Sequence, residues 1–228
     1  MTLNDINFIV SFTLERYAPS LVVTPYKLGQ LLHVAQLKHF KRKLGLPEDA
    51  QKVQQYEISK VISSDLDPFK VIMGDKTMEM RVVDGYAPLP SGFYYPSTMR
   101  YRRVKLGKET WKEVDILSDK EFDHRVSSTL LRPSTRYPIA NLQKNYFRVE
   151  PRGIRSVYFV YLKLPTKPVF GITMVRGFSE YDPTTSTELE WNDVNIIDII
   201  YIMLSDLGVK ISSAELFQIA EKTKIKGI

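Results

Sequence analysis

The sequence contains no cysteine, so disulfide bonds and thiolate metal sites are excluded and nothing points to an oxidising compartment. It also lacks any apolar run near the roughly 18 residues that cross a bilayer. The start, Met1–Asp5, does not show the basic and then apolar pattern of a signal peptide. These absences predict a protein that makes no membrane contact and stays in the cytoplasm in which it is made.

Motifs for enzymatic chemistry are missing as well. Neither a Gly-rich phosphate loop nor a Gly-x-Ser-x-Gly elbow occurs. His33 and His39 lie six positions apart on a predicted helix, nearly opposite one another, so they cannot hold one ion together. We therefore predict that the protein is not an enzyme and needs neither a cofactor nor a metal.

Two acidic clusters offer weak alternatives. In Glu121–Arg125, His124 and the carboxylates could share a proton or a metal, but the segment is more typical of the polar face of a short helix. Glu188 and Glu190 would share one face of a strand and could attract a cation, although solvated edge charges explain them as well. A metal-dependent hydrolase is the least supported class.

Composition indicates a folded protein that contacts other macromolecules. With 228 residues, 43% of them hydrophobic, the chain can bury a core in one large or two small domains. The net charge of +6 is compatible with a polyanionic partner but does not require one. Thirteen Tyr and eleven Phe accompany only two Trp, which suits either a protein interface or an aromatic β core.

Apolar residues at helical spacing predict helices at both ends of the chain. Thr2 and Thr24 are expected to cap the first two helices, with Pro25 in the first position of the second. Asn192 or Asp193 begins a strongly apolar helix, and the capping box from Ser212 opens another. The predicted helices cover residues 3–17, 25–44, 48–62, 193–207 and the chain from 213.

From Phe69 the hydrophobic period changes from about 3.6 to 2, which predicts a β-rich middle region. The predicted strands are 69–73, 77–83, 101–106, 111–117, 157–164, 169–175 and 186–191, with a short helix over 119–130. Val157–Leu164 gives the strongest strand pattern and is closed by Pro165 and Pro168. A strand this apolar belongs inside a sheet that is covered on both faces, or in a subunit contact, and 169–175 is expected to return as its hairpin partner.

The segment Tyr86–Pro96 has too much proline and aromatic content for a ladder and too many apolar residues for a free loop. It is interpreted as an arm that lies on a neighbouring subunit, or as a cover over its own sheet. The predicted subunit-interface residues are Tyr86, Pro88, Leu89, Pro90, Phe93, Tyr94, Tyr95 and Pro96.

Two basic runs raise the alternative of a nucleic-acid-binding protein. Lys38–Lys43 could contact phosphates, although cations at the end of a helix also complement its dipole. Arg100–Lys105 interleaves cations with Tyr101, as binders of single-stranded nucleic acid do. Because neighbouring residues of a strand point to opposite faces, this second run does not form one basic face.

These elements predict an α+β fold. Helices from both ends are expected to form one layer, with a large antiparallel β region inserted between them. The predicted division is 1–64 for the amino-terminal helical part, 65–191 for the β-rich region and 192–228 for the carboxy-terminal helices. We expect the two helical parts to pack together, because neither buries enough area alone.

Four stretches in order also carry a resemblance. RPSTRYPIA at 132–140, FRVEP at 147–151, IRSVYFVYLKLPTKP at 154–168 and ELEW at 188–191 resemble structural proteins of crAss-like bacteriophages of Bacteroides-type hosts, in particular neck or ring proteins. The matching positions are scaffold residues, so no functional residue follows from the resemblance.

The resemblance implies a virion protein that forms a head-to-tail connector ring stacked beneath the portal. It further implies about twelve copies of the chain in the ring, and an adaptor-like bundle formed by the helices from the two ends of the chain. The implied partners are the chain itself, the portal, other neck or tail proteins and the genome DNA that passes through the channel. Residues that such a ring would turn toward the channel are Lys41, Lys43, Arg100, Arg102 and Arg103.

Overall fold

The computed structural model describes residues 1–45, 64–73, 80–105 and 108–225. The chain forms two compact units, in which unit 1 combines residues 1–68 with 165–228 and unit 2 is Phe69–Leu164. The predicted β region ended at residue 191, whereas the units divide after Leu164, so residues 165–191 belong with the terminal helices. The helix predicted over 48–62 lies outside the described residues, as do parts of the strands predicted at 77–83 and 101–106.

The predicted α+β class is confirmed. Within the described residues the helices are α1 Leu3–Tyr17, α2 Pro25–Lys43, α3 Asp119–Ser127, α4 Asp193–Asp206 and α5 Ser213–Ile225. The strands are β1 Lys70–Met73, β2 Met80–Arg81, β3 Tyr86–Pro88, β4 Phe93–Lys105, β5 Lys108–Glu113, β6 Asp115–Leu117, β7 Ile139–Leu142, β8 Tyr146–Glu150, β9 Ser156–Lys163, β10 Ile172–Val175 and β11 Phe178–Tyr181.

Local side chains set the helix starts, as predicted. At α1 the Thr2 hydroxyl accepts from the Asp5 backbone N–H at 3.2 Å, and the Asp5 carboxylate accepts from the Thr2 N–H at 2.7 Å. This reciprocal pair satisfies two of the amides that a helix start leaves without partners. The Asn192 side chain accepts from the Asn195 N–H at 2.9 Å and caps α4 in the same way.

Helices from both ends of the chain share the core of unit 1. α4 contacts α1, α2 and α5, and α1 also contacts α5. α2 contributes Leu28, Leu32 and Ala35, each fully buried, and α4 contributes Ile199 and Ile200, which are also fully buried. Helices from the two ends of the chain are thus in contact within unit 1. Their arrangement as one adaptor-like layer stays a prediction.

Unit 2 is built on strand β9. One sheet has the order β1-β9-β4-β5, with β2 also paired to β9, and a second sheet has the order β3-β8-β7-β6. The pairs are antiparallel except β6 with β7, which is parallel and is reached through α3. Their shared core holds Phe147, Phe159, Met99 and Val157, each at most 1% exposed. The prediction of a covered central strand at 157–164 is confirmed.

The predicted hairpin between β9 and residues 169–175 is wrong. β9 pairs with β1, β2 and β4, and β10 pairs instead with β11. Proline lacks the amide that a ladder needs, so Pro165 and Pro168 end the pairing of this stretch. The chain turns from β10 into β11 at Arg176 and Gly177, whose φ angles are +51° and +87°. Positive φ at both central residues is typical of the two-residue turns that join hairpin strands.

The other strand predictions need smaller corrections. Residues 186–191 form only an isolated bridge from Thr187 to Val169. In this segment the Glu188 carboxylate accepts from the Leu3 backbone N–H, and the Glu190 carboxylate accepts from the Thr166 backbone N–H. The strand predicted at 111–117 is divided at residue 114 into β5 and β6, and the helix predicted to residue 130 ends at 127.

We predict that Ile200→Ala lowers the free energy of unfolding by about 2–5 kcal/mol, because Ile200 is fully buried where α4 packs on its neighbours. Urea unfolding followed by helical circular dichroism measures this loss. Val194→Ala on the same helix is the control, since Val194 is 63% exposed and should cost under about 1 kcal/mol. Equal losses in the two variants would contradict a core built on α4.

Candidate interaction surfaces

The segment Tyr86–Pro96 is part of two sheets, so the expectation that it stays outside any ladder is wrong. Tyr86–Pro88 is strand β3 and pairs with β8, while β4 pairs with β9 from Phe93 onward. The prolines are tolerated because Pro88 ends an edge strand and Pro96 stands at a register shift beside Thr98. Deleting the whole segment would therefore remove pairing in both sheets.

The predicted interface residues of this segment differ in exposure. The Phe93 ring lies 5.8–5.9 Å from the rings of Phe147, Phe159 and Tyr161, which places it against the core. Leu89 also packs against that core. Tyr86 and Tyr95 are 41% and 42% exposed and remain accessible for a contact. Of the other four, Pro88 is exposed, and Pro90, Tyr94 and Pro96 are half-buried.

The exposed face around β4 joins two arginines with two aromatic rings. Arg100 and Arg102 are exposed, and their cross-strand partners are Tyr158 and Trp111. The Trp111 and Tyr158 rings lie 5.8 Å apart. These two rings were missed in the sequence because only the strand register brings them beside the arginines.

The aromatic ring that the sequence places between these arginines lies on the opposite face. Tyr101 is 5% exposed, and its hydroxyl donates to the Thr135 carbonyl. Burial raises the pKa of the Tyr101 hydroxyl, and nearby Arg103 opposes that shift. Arg103 is half-buried. The predicted alternation of the basic run between two faces is therefore present.

Carboxylates balance the charge of the exposed face. Arg102 lies 3.2 Å from a Glu109 carboxylate oxygen, and Glu113 stands opposite Arg100 in the β4–β5 register. Two cations thus meet two anions on adjacent strands. Because polyanion binding depends on an excess of positive charge, this face lacks the electrostatic basis of a phosphate-binding surface.

The two predicted channel-facing lysines lie in the last turn of α2. Lys41 is exposed, whereas the Lys43 ammonium lies 2.7 Å from an Asp65 carboxylate oxygen. The hydrogen bond from Lys43 is the largest cause that lowers the pKa of Asp65. Lys43 thus helps to hold Asp65 within unit 1, while Arg100, Arg102 and Arg103 belong to unit 2.

A buried polar cluster joins α2 to α4. His39 Nε2 lies 3.0 Å from Asn195 Oδ1, and its ring meets the Trp191 ring edge-on at 5.0 Å. Burial lowers the pKa of His39, although the Asn195 hydrogen bond and Asp198 oppose that shift. Gln36 Nε2 donates to the Thr166 carbonyl at 2.8 Å. These contacts are internal, so they support the fold.

Acidic side chains in the described ranges do not gather into a metal site, since no group of three or more His, Asp or Glu residues is placed to hold an ion there. The Glu121 carboxylate accepts from the Ser118 hydroxyl at 2.7 Å, and this bond, followed by one from the Ser118 amide, lowers the pKa of Glu121. Glu188 accepts from the Leu3 amide and the Tyr181 hydroxyl. The predicted alternatives at Glu121–Arg125 and Glu188–Glu190 therefore contain carboxylates that are already hydrogen-bonded.

The β10–β11 hairpin exposes apolar side chains on both of its faces. Ile172 and Met174 are 49% and 67% exposed on one face, and Phe178 is 75% exposed on the other. Among the described strands, β10 and β11 pair only with each other, so both outer edges are open. Sequence reasoning missed this surface because it paired residues 169–175 with β9.

The base of this hairpin is closely packed. Phe170 meets the Tyr181 ring at 5.0 Å, and the Gly171 amide donates to the Ser186 hydroxyl at 2.9 Å. A Cβ atom at Gly171 would lie 2.3 Å from Thr185 Oγ1, so only glycine fits there. The hairpin therefore projects from a well-packed base.

Two further apolar surfaces lie outside the hairpin strands. Unit 1 has a groove of about 250 Å³ beside the hairpin base, lined by Pro25, Tyr26, Pro168 and Phe170 among others. In unit 2, Leu130 and Leu131 after α3 are 95% and 59% exposed. Exposed leucines of this kind usually mark protein contacts when they lie close together.

Comparisons with known proteins do not identify a family. No protein-family model matches the chain, and no curated protein matches it. Across the described ranges, every helix is too short or too polar to cross a membrane.

The lowered pKa of His39 predicts a pH-dependent stability. Its folded pKa lies below the ordinary value of about 6.5, so the unfolded chain binds the proton more readily and the folded state loses stability as the pH falls through that value. His33, with a pKa lowered by partial burial and Lys167, adds a change of the same sign. Urea unfolding should show that the free energy of unfolding decreases as the pH is lowered from 7 to 5.

The His39→Gln variant tests the assignment, because glutamine cannot take up the proton. The variant should show a smaller slope of the free energy of unfolding against pH. The slope that remains should be the contribution of His33. The carboxyls whose pKa is lowered have ordinary values of 3.8 for Asp and 4.5 for Glu, so their contribution is lost mainly below about pH 5, at the lower edge of this window. An unchanged slope in His39→Gln would contradict the role given to the buried imidazole.

Proposed function

We propose that the protein is a structural subunit of a virion, and that it forms the ring of a head-to-tail connector, or neck, beneath the portal. The resemblance of residues 132–168 and 188–191 supports this proposal. The observation that carries it most directly is the β10–β11 hairpin, which exposes apolar side chains on both faces and whose outer edges pair with no other described strand. In this proposal the ring has about twelve copies.

The hairpin has the properties of an arm that completes its burial on a neighbour. A two-stranded hairpin is marginally stable by itself, and open edges pair readily with further strands. Its Met174 and Phe178 side chains are more than half exposed in the single chain. Contact with a second copy would bury both side chains and pair an edge, which stabilises the hairpin and the assembly together.

Other exposed residues suit the remaining contacts of a stacked ring. Leu130 and Leu131, and the predicted interface residues Tyr86 and Tyr95, are available for the portal or for neck and tail proteins. Genome DNA would pass through the channel. With Arg102 and Lys43 in ion pairs, a weak and screened contact between the wall and DNA is the expected one.

We expect the double variant Met174→Ser, Phe178→Ser to weaken the contact between copies by about 30- to 1000-fold, since two buried contact side chains at about 1–2 kcal/mol each contribute about 2–4 kcal/mol together. Native mass spectrometry and electron microscopy of the protein, alone and mixed with its portal, measure the assembly. Val22→Ser is the matched control, because Val22 is 78% exposed on a loop without a strand edge. A native protein that stays monomeric under both conditions would refute the proposal.

A second candidate is binding of single-stranded nucleic acid on the exposed face around β4. The observation that favours it is the Trp111–Tyr158 ring pair beside Arg100 and Arg102, since bases stack on aromatic rings while cations contact phosphates. The balancing Glu109 and Glu113 carboxylates make it the weaker candidate.

The ring proposal predicts that Arg100→Gln with Arg102→Gln leaves assembly unchanged, because both side chains lie on a charge-balanced face. Titration with a single-stranded oligonucleotide at low salt, followed by tryptophan fluorescence, should show no saturable binding. Saturable binding that weakens steeply with salt and disappears in Trp111→Ala would favour the second candidate instead.

A further inference from the structure

A cleft opens in unit 2 where β5 passes into β6. β5 follows β4 as far as the pair Arg100 and Glu113, and the Val114 N–H donates to the Met99 carbonyl at 2.9 Å. Beyond this point β6 leaves β4 and pairs with β7 in the other sheet. The separation leaves a cleft of about 460 Å³ lined by residues 95–99 and 113–117.

Both walls of the cleft present backbone edges. In the parallel β6–β7 pair the Asp115 N–H donates to the Pro138 carbonyl at 3.2 Å. Because successive residues of a strand turn their N–H and C=O groups to opposite edges, those of Ile116 point away from β7, toward the cleft. On the other wall the pairing of β4 with β9 shifts register between Pro96 and Thr98, so Ser97 lies at an irregularity of the strand, with its side chain exposed.

We infer that the β10–β11 hairpin of a second copy binds in this cleft, with one of its strands added to the edge of a cleft wall. This inference rests on the proposed ring. Five consecutive residues line each wall of the cleft, and β10 and β11 are four residues each. Addition of a strand to an open edge is a recurrent mode of polypeptide recognition, with main-chain hydrogen bonds providing the affinity.

The side chains at the cleft are compatible with this occupant. Arg176 stands exposed at the tip of the hairpin, and the exposed carboxylates Glu113 and Asp115 stand at the rim of the cleft. Asp115 lies 3.6 Å from Arg125, so it already has one partner, whereas Glu113 has Arg100 opposite it. Half-buried Ile116 and exposed Tyr95 give Met174 apolar side chains to contact.

The pairing explains how identical copies can form a closed assembly. The hairpin belongs to unit 1 and the cleft belongs to unit 2, so the donor and acceptor are different surfaces of one chain. Each copy can then donate to one neighbour and accept from another. Such head-to-tail contacts close into a ring when the rotation between copies permits.

Cross-linking tests this pairing. Because the chain has no cysteine of its own, only the engineered cysteines can react. Copies with Ser97→Cys are mixed with copies with Met174→Cys under assembly conditions and treated with a short bismaleimide. Both positions are exposed, so the folded chain accepts the changes. A cross-linked dimer between the two kinds of copy is expected, and the double variant should give a ladder of products up to the ring.

Two other cysteine positions, each mixed with the Ser97→Cys copies, complete the experiment. Val22→Cys is the matched control, exposed on a loop outside the described strands, and should stay uncross-linked. Leu130→Cys tests the exposed loop after α3 as the competing donor. Stronger cross-linking of the Ser97→Cys copies to Leu130→Cys copies than to Met174→Cys copies would overturn the assignment of the hairpin as the donor.

The outcomes separate this inference from the ring itself. Rings that form while Ser97→Cys and Met174→Cys copies stay uncross-linked would overturn the cleft as acceptor and leave the proposed function standing. Protein that stays monomeric, alone and with its portal, would overturn both. Rings with a cross-link specific to Met174→Cys support both.

Discussion

The ladder pairing of β9 is the interaction on which the rest of unit 2 depends. β9 pairs with β1 and β2 on one side and with β4 on the other, and it carries Phe159 and Tyr161, whose rings stack at 5.5 Å. Phe147 of the second sheet meets Phe159 at 4.7 Å, so the aromatic core links the two sheets. A polar residue at Phe159 would therefore disturb both sheets together.

The closed core of unit 2 contrasts with strand edges elsewhere that pair with no other described strand. Among the strands that the structure describes, β9 has neighbours on both sides, whereas β10 and β11 pair only with each other and β6 pairs only with β7. Unpaired edges with exposed apolar residues nearby invite further strands, and proteins usually cover or charge such edges. The chain leaves them open at the hairpin and at the cleft, which is the physical reason to propose self-assembly.

The charges support the same view of the protein. The sequence has a net charge of +6, and several of its cations form ion pairs in the fold. Arg102 pairs with Glu109, Lys43 with Asp65 and Lys38 with Asp206. Cations that are neutralised by near neighbours contribute little to binding a polyanion, so shape and apolar contact are the stronger basis for a function.

The sequence by itself determined the elements whose causes are local. The caps at Thr2 and Asn192, the prolines after β9 and the apolar run of β9 act within a few residues, so the helix starts, the α+β class and the central strand could be predicted. Tertiary structure decided what depends on partners distant in the chain. It paired β10 with β11, placed Trp111 beside Arg102, put Tyr86–Pro96 into two sheets and opened the cleft at Ser97, because strand register and burial depend on which distant segments meet.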